Sequence, residues 1–264
     1  MSRPRSYRSE ALVLKSTPID EAGLIVTLYT RNAGKLRAVA PGARKPTSKN
    51  GGHLEPLNRV DLALANSRPG GMDSITQAQV IESFPLLKAD LESISRGIYL
   101  AELVDGFGAE ASTNPRLYSL LVEALRFLND SPEMELALRH FEIHLLDCSG
   151  FMPELYRCVE CREEIVPNRH LFSPELGGTL CLKCTPPDAR IMPLSVEVMK
   201  VLRFLDRAPL QDITKLRISA GLQEGVKTLL AATLKYWLDK EIRSKSFMEH
   251  LEHSRPRGVY IKSV

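Results

Sequence analysis

The chain has 264 residues, 44% hydrophobic and 25% charged, enough to bury a sizeable core over one or two domains and too apolar for a disordered protein. It holds no run of about 18 apolar residues, and the N-terminal "MSRPRSYRSE" has no apolar stretch behind its charges, which argues against a membrane span or a signal peptide and predicts a cytoplasmic protein. The net charge of +3 conceals a division: residues 1–50 hold ten Lys or Arg against three acids, whereas residues 82–164 hold seven against sixteen, so only the N-terminal part suits a polyanion.

From Tyr7 to Phe84 the chain reads as short β-rich runs, "EALVLKS", "LIVTLYT", "KLRAVA", "RVDLALA" and "ITQAQVIESF", broken by Gly, Pro and Asn at spacings of roughly ten residues. Five short strands in so few residues predict a small closed barrel, with the oligonucleotide-binding (OB) fold ahead of an SH3-like barrel. Between the third and fourth runs, "VAPGARKPTSKNGG" carries three glycines, two prolines and three basic side chains without an acid. From Leu86 the period becomes helical. Leu91, Ile94, Ile98, Ala101 and Val104 recur at helical intervals. Asn114 and Pro115 supply an N-cap and a first helical residue, Ser131 and Pro132 repeat that signal, and Gly150 ends the third helix. After Pro193, "LSVEVMKVLRFLDR" and a long segment with Leu222, Val226, Leu229, Leu230, Thr233, Trp237 and Leu238 along one side predict further helices of a bundle.

Between the helices, Cys158 and Cys161 form one C-x-x-C knuckle and Cys181 and Cys184 a second, nineteen residues on. That spacing fits one structural zinc per chain in a closed four-thiolate shell, with no open position for catalysis. Disulfides are the rival and are disfavoured in a reducing compartment, and a thioredoxin-like motif would need one pair beside a βαβ unit. Cys148 lies outside the pattern and reads as a buried thiol. The intervening "REEIVPNRHLFSPELGGTL" reads as a short ribbon with a Gly-Gly turn. His140 and His144 stand one turn apart in "HFEIH", but Glu142 is two positions after the first His, which does not match the zinc-protease motif. No P-loop, G-x-S-x-G or strand-linked G-x-G-x-x-G occurs, and the chain reads as a binding protein rather than an enzyme.

Three stretches, "EAGLIVTLYTRNAGKLRAVAPGARKPTSK", the helix "ALRHFEIHLLDCSG" leading into Cys158, and "RSKSF", make the chain resemble the RecO family of bacterial recombination mediators and DNA repair proteins over nearly its whole length. The resemblance implies an α+β multi-domain protein. An N-terminal OB-fold β-barrel (1–84) would pack on a helical domain in two parts (85–150, and 191–264 with a basic tail), with a zinc module inserted at 151–190. It further implies a nucleoid-associated protein that binds single- and double-stranded DNA, anneals complementary strands without nucleotide and, with RecR, loads recombinase onto strands coated by the single-strand-binding protein. No membrane and no small-molecule substrate is implied.

On the residues themselves, Lys35 and Arg37 alternate with Leu36 and Ala38 and are expected on the solvent face of a strand. Arg44, Lys45 and Lys49 follow on a loop able to mould to a phosphate backbone, giving salt-sensitive, sequence-independent contacts. Pro41 stands where family members commonly carry a basic residue. Tyr7 and Tyr29 are the candidate stacking aromatics, so electrostatics should dominate. The resemblance also implies that the acidic helical domain captures the C-terminal tail of the single-strand-binding protein, for which Arg139, Lys200 and Arg203 are the candidate cations. The basic tail residues Arg243, Lys245, Arg255 and Arg257 would extend the DNA surface or stay mobile. The alternative from another class is a zinc-ribbon factor bound to RNA or to RNA polymerase.

Overall fold

Residues 6–67, 71–131, 134–184, 186, 190–238, 242 and 244–248 are described by the computed structural model. Strands β1 (Ser6–Pro18), β2 (Leu24–Thr30), β3 (Gly34–Ala40), β4 (Arg59–Ala65) and β5 (Asp73–Glu82) correspond to the five β-rich runs. They close into a barrel in the order β1-β2-β3-β5-β4, with β4 returning to β1. β3 and β5 pair in parallel and the remaining neighbours antiparallel. Period-two alternation turns Val13, Val26, Leu28, Ala38, Val60 and Leu62 into the barrel. Small residues such as Ala11, Ala38 and Ala40 let so few strands close over a filled interior.

Residues 11–14 of β1, "ALVL", are buried without interruption because the strand has two covered faces. Ala11 and Val13 look into the barrel, whereas Leu12 and Leu14 join the helical core. That core is built by α1 (Leu91–Phe107), α2 (Pro115–Asp130) and α3 (Met134–Cys148), then, after a three-stranded sheet of β6 (His170–Ser173), β7 (Gly178–Leu180) and β8 (Met192–Leu194), by α4 (Val196–Arg207) and α5 (Ala220–Leu238). Side-chain caps start the helices: Asp90 accepts from the Glu92 and Ser93 N–H groups, Asn114 from Leu117 with Pro115 next in line, and Ser195 from Val198. Pro132 lies outside the described residues.

The α1 stripe differs from the sequence reading at its start. Leu91 is 58% exposed and Ile94 and Ile98 are only partly buried, while Tyr99, Leu100, Leu103 and Val104 are fully covered. The reason is that α1 lies between the barrel and the other helices and is covered from more than one side. In α5 the expected stripe packs inward, with Val226, Leu229, Leu230 and Thr233 buried and Trp237 half-buried against Phe151.

Barrel and bundle meet through backbone as well as side chains. The Lys35 N–H donates to Ala109 O (3.2 Å) and the Ala111 N–H to Lys35 O (3.2 Å), which ties the start of β3 to the segment after α1. Gly34 permits this with φ +68°, since a Cβ there would stand 1.9 Å from Ser112 O. Beside it, Glu10 accepts from the Tyr118 hydroxyl (2.6 Å) and from Arg59 Nε (2.8 Å), and Arg59 and Arg126 both pair with Glu82 (3.2 and 2.8 Å). These bonds hold Glu10 and Glu82 below the usual carboxylate range; for Glu10 they outweigh an opposing upward push from burial.

Candidate nucleic-acid interface and metal centre

On the outer face of the barrel, strand register sets a row of side chains. Lys15 pairs with Thr27 and Thr27 with Arg37, so Lys15 and Arg37 flank one strand on the same face, both exposed. Lys15 was not singled out from the sequence. The signal for it is the register, which exists only once β1 and β2 are paired. Arg44, Lys45 and Lys49 follow β3 on an exposed loop. The loop is anchored rather than loose: the Arg44 N–H donates to Ala22 O (2.9 Å), its Nη1 to Asp20 O (2.9 Å), and Lys45 and Ser48 continue a series of tight turns. Asp20 itself accepts from the Ala22 and Gly23 N–H groups, which hold its carboxyl below the usual range. Pro41 is exposed at the head of the loop.

Lys35 sits elsewhere than expected. It does leave the barrel interior, but α1 covers that part of β3, and its Nζ donates to Asp105 O (2.6 Å) and pairs with the Asp105 carboxylate (3.5 Å), leaving the side chain 16% exposed. Tyr29 is fully buried against the helices, and the Tyr7 hydroxyl donates to Asp73 (2.7 Å). The outer face is therefore cationic rather than aromatic.

The four knuckle cysteines converge, with all four sulfurs within 4.8 Å of one another. A tetrahedral metal with bonds to sulfur of about 2.3 Å has sulfur–sulfur edges of about 3.8 Å, and Cys161 and Cys181 Sγ stand 3.8 Å apart. Cys158 is fully buried, and burial alone would raise its thiol; N–H groups of Cys181, Cys161 and Glu160 outweigh that and push it down to about 6, while neighbouring sulfurs push Cys184 up to about 12. All five cysteines are free thiols. The ribbon is present as β6 and β7, with the turn ending at Gly177 and Gly178. Gly178 is needed because Glu154 passes close enough that a Cβ would lie 2.6 Å from its carbonyl oxygen. β8, absent from the sequence reading, adds a third strand against β6. Leu155, Ile165, Phe172 and Leu180 of this module share one core with Phe141, Leu202 and Leu205 of the helices.

The three candidate tail-binding cations are not gathered at a pocket rim. Arg139 is 5% exposed and pairs with Glu142 (3.0 Å), whose other oxygen accepts from the Tyr99 hydroxyl (2.6 Å) inside the bundle. The 220 Å³ cavity that Arg139 lines is completed by Glu135, Leu136, Ala220, Gln223, Glu224 and Lys227, without Lys200 or Arg203. Arg203 Nε and Nη2 donate to Leu155 O (3.0 and 2.6 Å), and Nη2 also to Ile165 O (2.9 Å). Lys200 is exposed on α4. A carboxylate on the same helix has claimed Arg139, and carbonyls from distant segments have claimed Arg203. Burial pushes the Glu142 carboxyl up, with Arg139, the Tyr99 hydroxyl and Lys245 opposing it, and Arg243, Arg255 and Arg257 lie outside the described residues.

His140 and His144 form an interhelix pair, with Nε2 atoms on Ala208 O (3.0 Å) and Leu205 O (3.1 Å) at the end of α4. Burial and the neighbouring His144 push His140 down to about 4. No carboxylate of the protease type stands between them.

Two family models match the chain: Recombination protein O N terminal over residues 1–84 and Recombination protein O C terminal over residues 88–246. The chain belongs to the RecO family. A DNA repair protein RecO from Roseiflexus sp. (strain RS-1) is 38% identical over 261 residues, covering 97% of this chain and 91% of the relative. One from Desulforudis audaxviator (strain MP104C) is 38% identical over 248 residues, with 94% and 98% covered. One from Dehalococcoides mccartyi (strain ATCC BAA-2266 / KCTC 15142 / 195) is 31% identical over 254 residues, with 96% and 99% covered. The boundary between the two RecO models falls between β5 and α1, where the hydrophobic period changes. Among the described residues, no helix is long and apolar enough to cross a membrane.

Proposed function

We propose that this RecO-family chain is a DNA-binding recombination mediator acting in the cytoplasm on the nucleoid. Its reading follows the domain plan 1–84, 85–150, 151–190 and 191–264. Closure of five strands in the order β1-β2-β3-β5-β4, with β3 parallel to β5, supports an OB-fold. The observation that carries the proposal is the exposed cationic strip of Arg37, Arg44, Lys45 and Lys49 on that barrel, in line with Lys15. Such a strip neutralises phosphates without reading bases, on single or double strands alike. In this reading the protein anneals complementary strands and, with RecR, loads recombinase onto single strands coated by the single-strand-binding protein. It catalyses no covalent step. Lys200 is the cation left to face that protein's acidic tail.

Zinc is the metal that fits the four thiolates, held by Cys158, Cys161, Cys181 and Cys184, and it supplies a cross-link when bound. Cys161→Ser or Cys181→Ser is expected to lose about one zinc per chain and to open residues 158–184 to protease; a metal-free protein with four reactive thiols and a protease-resistant module would overturn the assignment. For the function itself, complementary oligonucleotides precoated with the single-strand-binding protein are mixed with the chain in the absence of nucleotide. Annealing at a rate well above the uncatalysed one is the expected result. No acceleration, together with stronger binding to structured RNA than to single-stranded DNA, would overturn it.

A further inference from the structure

The knuckle that carries Cys158 and Cys161 is the turn of a narrow hairpin. The Ile165 N–H donates to Tyr156 O (2.8 Å), the Cys158 N–H to Glu163 O (2.8 Å), and Arg157 and Glu164 pair as an isolated antiparallel bridge. The two arms of this hairpin end in carbonyls, Leu155 O and Ile165 O, that face α4. A single guanidinium, that of Arg203, receives both: three N–H bonds of 2.6 to 3.0 Å run to them. The same guanidinium lies 4.7 Å from the centre of the Tyr156 ring, with Arg207 4.6 Å from it, and the Tyr156 hydroxyl donates to Asp206 (2.9 Å). One turn of α4 thus grips the hairpin three residues before the first cysteine and four after the second.

We propose that Arg203 is a positioning residue for the metal centre, holding the Cys158–Cys161 knuckle at the spacing and angle from which its sulfurs meet those of Cys181 and Cys184. The inference rests on the reading that the four cysteines bind a metal. The physical reason is preorganisation. The first knuckle meets the second segment through the Cys181 N–H on Cys158 Sγ (3.4 Å) and the Val159 N–H on Thr179 O (3.0 Å), and Arg203 fixes the other end of its hairpin, the base from which both cysteines project. A planar fork with five donors can hold two carbonyls at a fixed separation, which the point charge of a lysine cannot. Without the fork, the cost of ordering the hairpin is taken from metal binding. Loss of groups that orient metal ligands from outside the coordination shell typically weakens affinity by about tenfold to a hundredfold.

The test uses the full-length chain loaded with cobalt(II), whose visible bands report tetrahedral thiolate coordination. Release into excess chelator is followed at a temperature where thermal unfolding shows every variant folded. Arg203→Ala is expected to retain the tetrahedral bands when saturated but to release metal at least about tenfold faster than wild type, with Arg203→Lys between the two. Release from Arg203→Ala at the wild-type rate would overturn the proposal. If Arg203→Ala does not fold, Arg203→Lys decides alone: faster release with unchanged bands supports positioning, and wild-type release overturns it. A wild-type chain that takes up no cobalt would overturn the metal reading itself, a result distinct from equal release rates.

Discussion

The barrel and the helical bundle treat their cations in opposite ways. On the barrel's outer face Arg37, Lys45 and Lys49 project into solvent beside Lys15. In the bundle, Arg139 and Arg203 are turned inward to a buried carboxylate and to two backbone carbonyls. Exposed positive charge thus gathers on the outer face and loop of the barrel, while Arg59 and Lys35 where barrel meets bundle, and Arg139 and Arg203 within the bundle, hold the architecture together. The contrast follows from what lies near each cation: Arg139 has a carboxylate three residues along its own helix and Arg203 has hairpin carbonyls in reach, whereas the loop after β3 has no acid of its own.

The sharpest way to break the comparison is to remove a bundle cation. Arg139→Ala strands Glu142, which is fully buried with burial already pushing its carboxyl up, and is expected to cost about 3 to 5 kcal/mol. Urea unfolding would show this, and affinity for single-stranded DNA per folded molecule should be unchanged. A loss of DNA affinity without a loss of stability would erase the distinction. On the barrel, the opposite pattern is expected from replacing Arg37, Arg44, Lys45 and Lys49 together. The slope of log affinity against log salt on single strands should flatten by about three, equally for all base sequences, while helical signal and metal content persist. An unchanged slope in fluorescence anisotropy would move the DNA surface elsewhere.

A pH dependence separates the regions further. His140 lines a cavity with His144, Arg116, Glu123 and Arg207, and its folded value of about 4 lies below the ordinary 6.5. The folded state thus prefers the neutral ring; this stability is complete above pH 6.5 and is lost as pH falls towards 4. Between pH 6.5 and 5 the loss should be about 2 kcal/mol. Glu142, shifted upward, works in the opposite direction, so the comparison is with His140→Gln, whose stability should lose that dependence. Parallel curves for the two proteins would count against burial as the cause.

Why some of this was legible in the sequence and some was not follows from range. The five strands, the Asn114 cap and the cysteine pairs are encoded within a few residues of themselves, and the structure places them as read. Alternation along β3 placed Lys35 on the correct face but carried no information about what covers it, and the cover is α1, some seventy residues away. Arg203 looks like a free cation in the sequence because its partners are carbonyls, which have no sequence signature, 48 and 38 residues distant. The exposed Lys15 depended on register in the same way.

Lys35 offers the smallest and most discriminating test, because it lies on the barrel yet behaves as the bundle's cations do. Its Nζ meets Asp105 O in the last turn of α1, where carbonyls lack intrahelical donors and the helix dipole favours positive charge. Lys35→Met keeps the apolar stem along the interface and removes only the charged cap. The expected cost is about 1 to 2 kcal/mol, the sum of one charge-assisted bond and a dipole contribution, read as a lowered urea midpoint. The salt slope for DNA should remain that of wild type. Arg37→Met, two residues on along the same strand, should do the reverse: little change in stability, since its side chain is exposed, and a slope flatter by about 0.7. If Lys35→Met flattened the slope as much as Arg37→Met, the β3 lysine would have to leave Asp105 to reach a phosphate, and the junction between barrel and bundle would itself open when DNA binds.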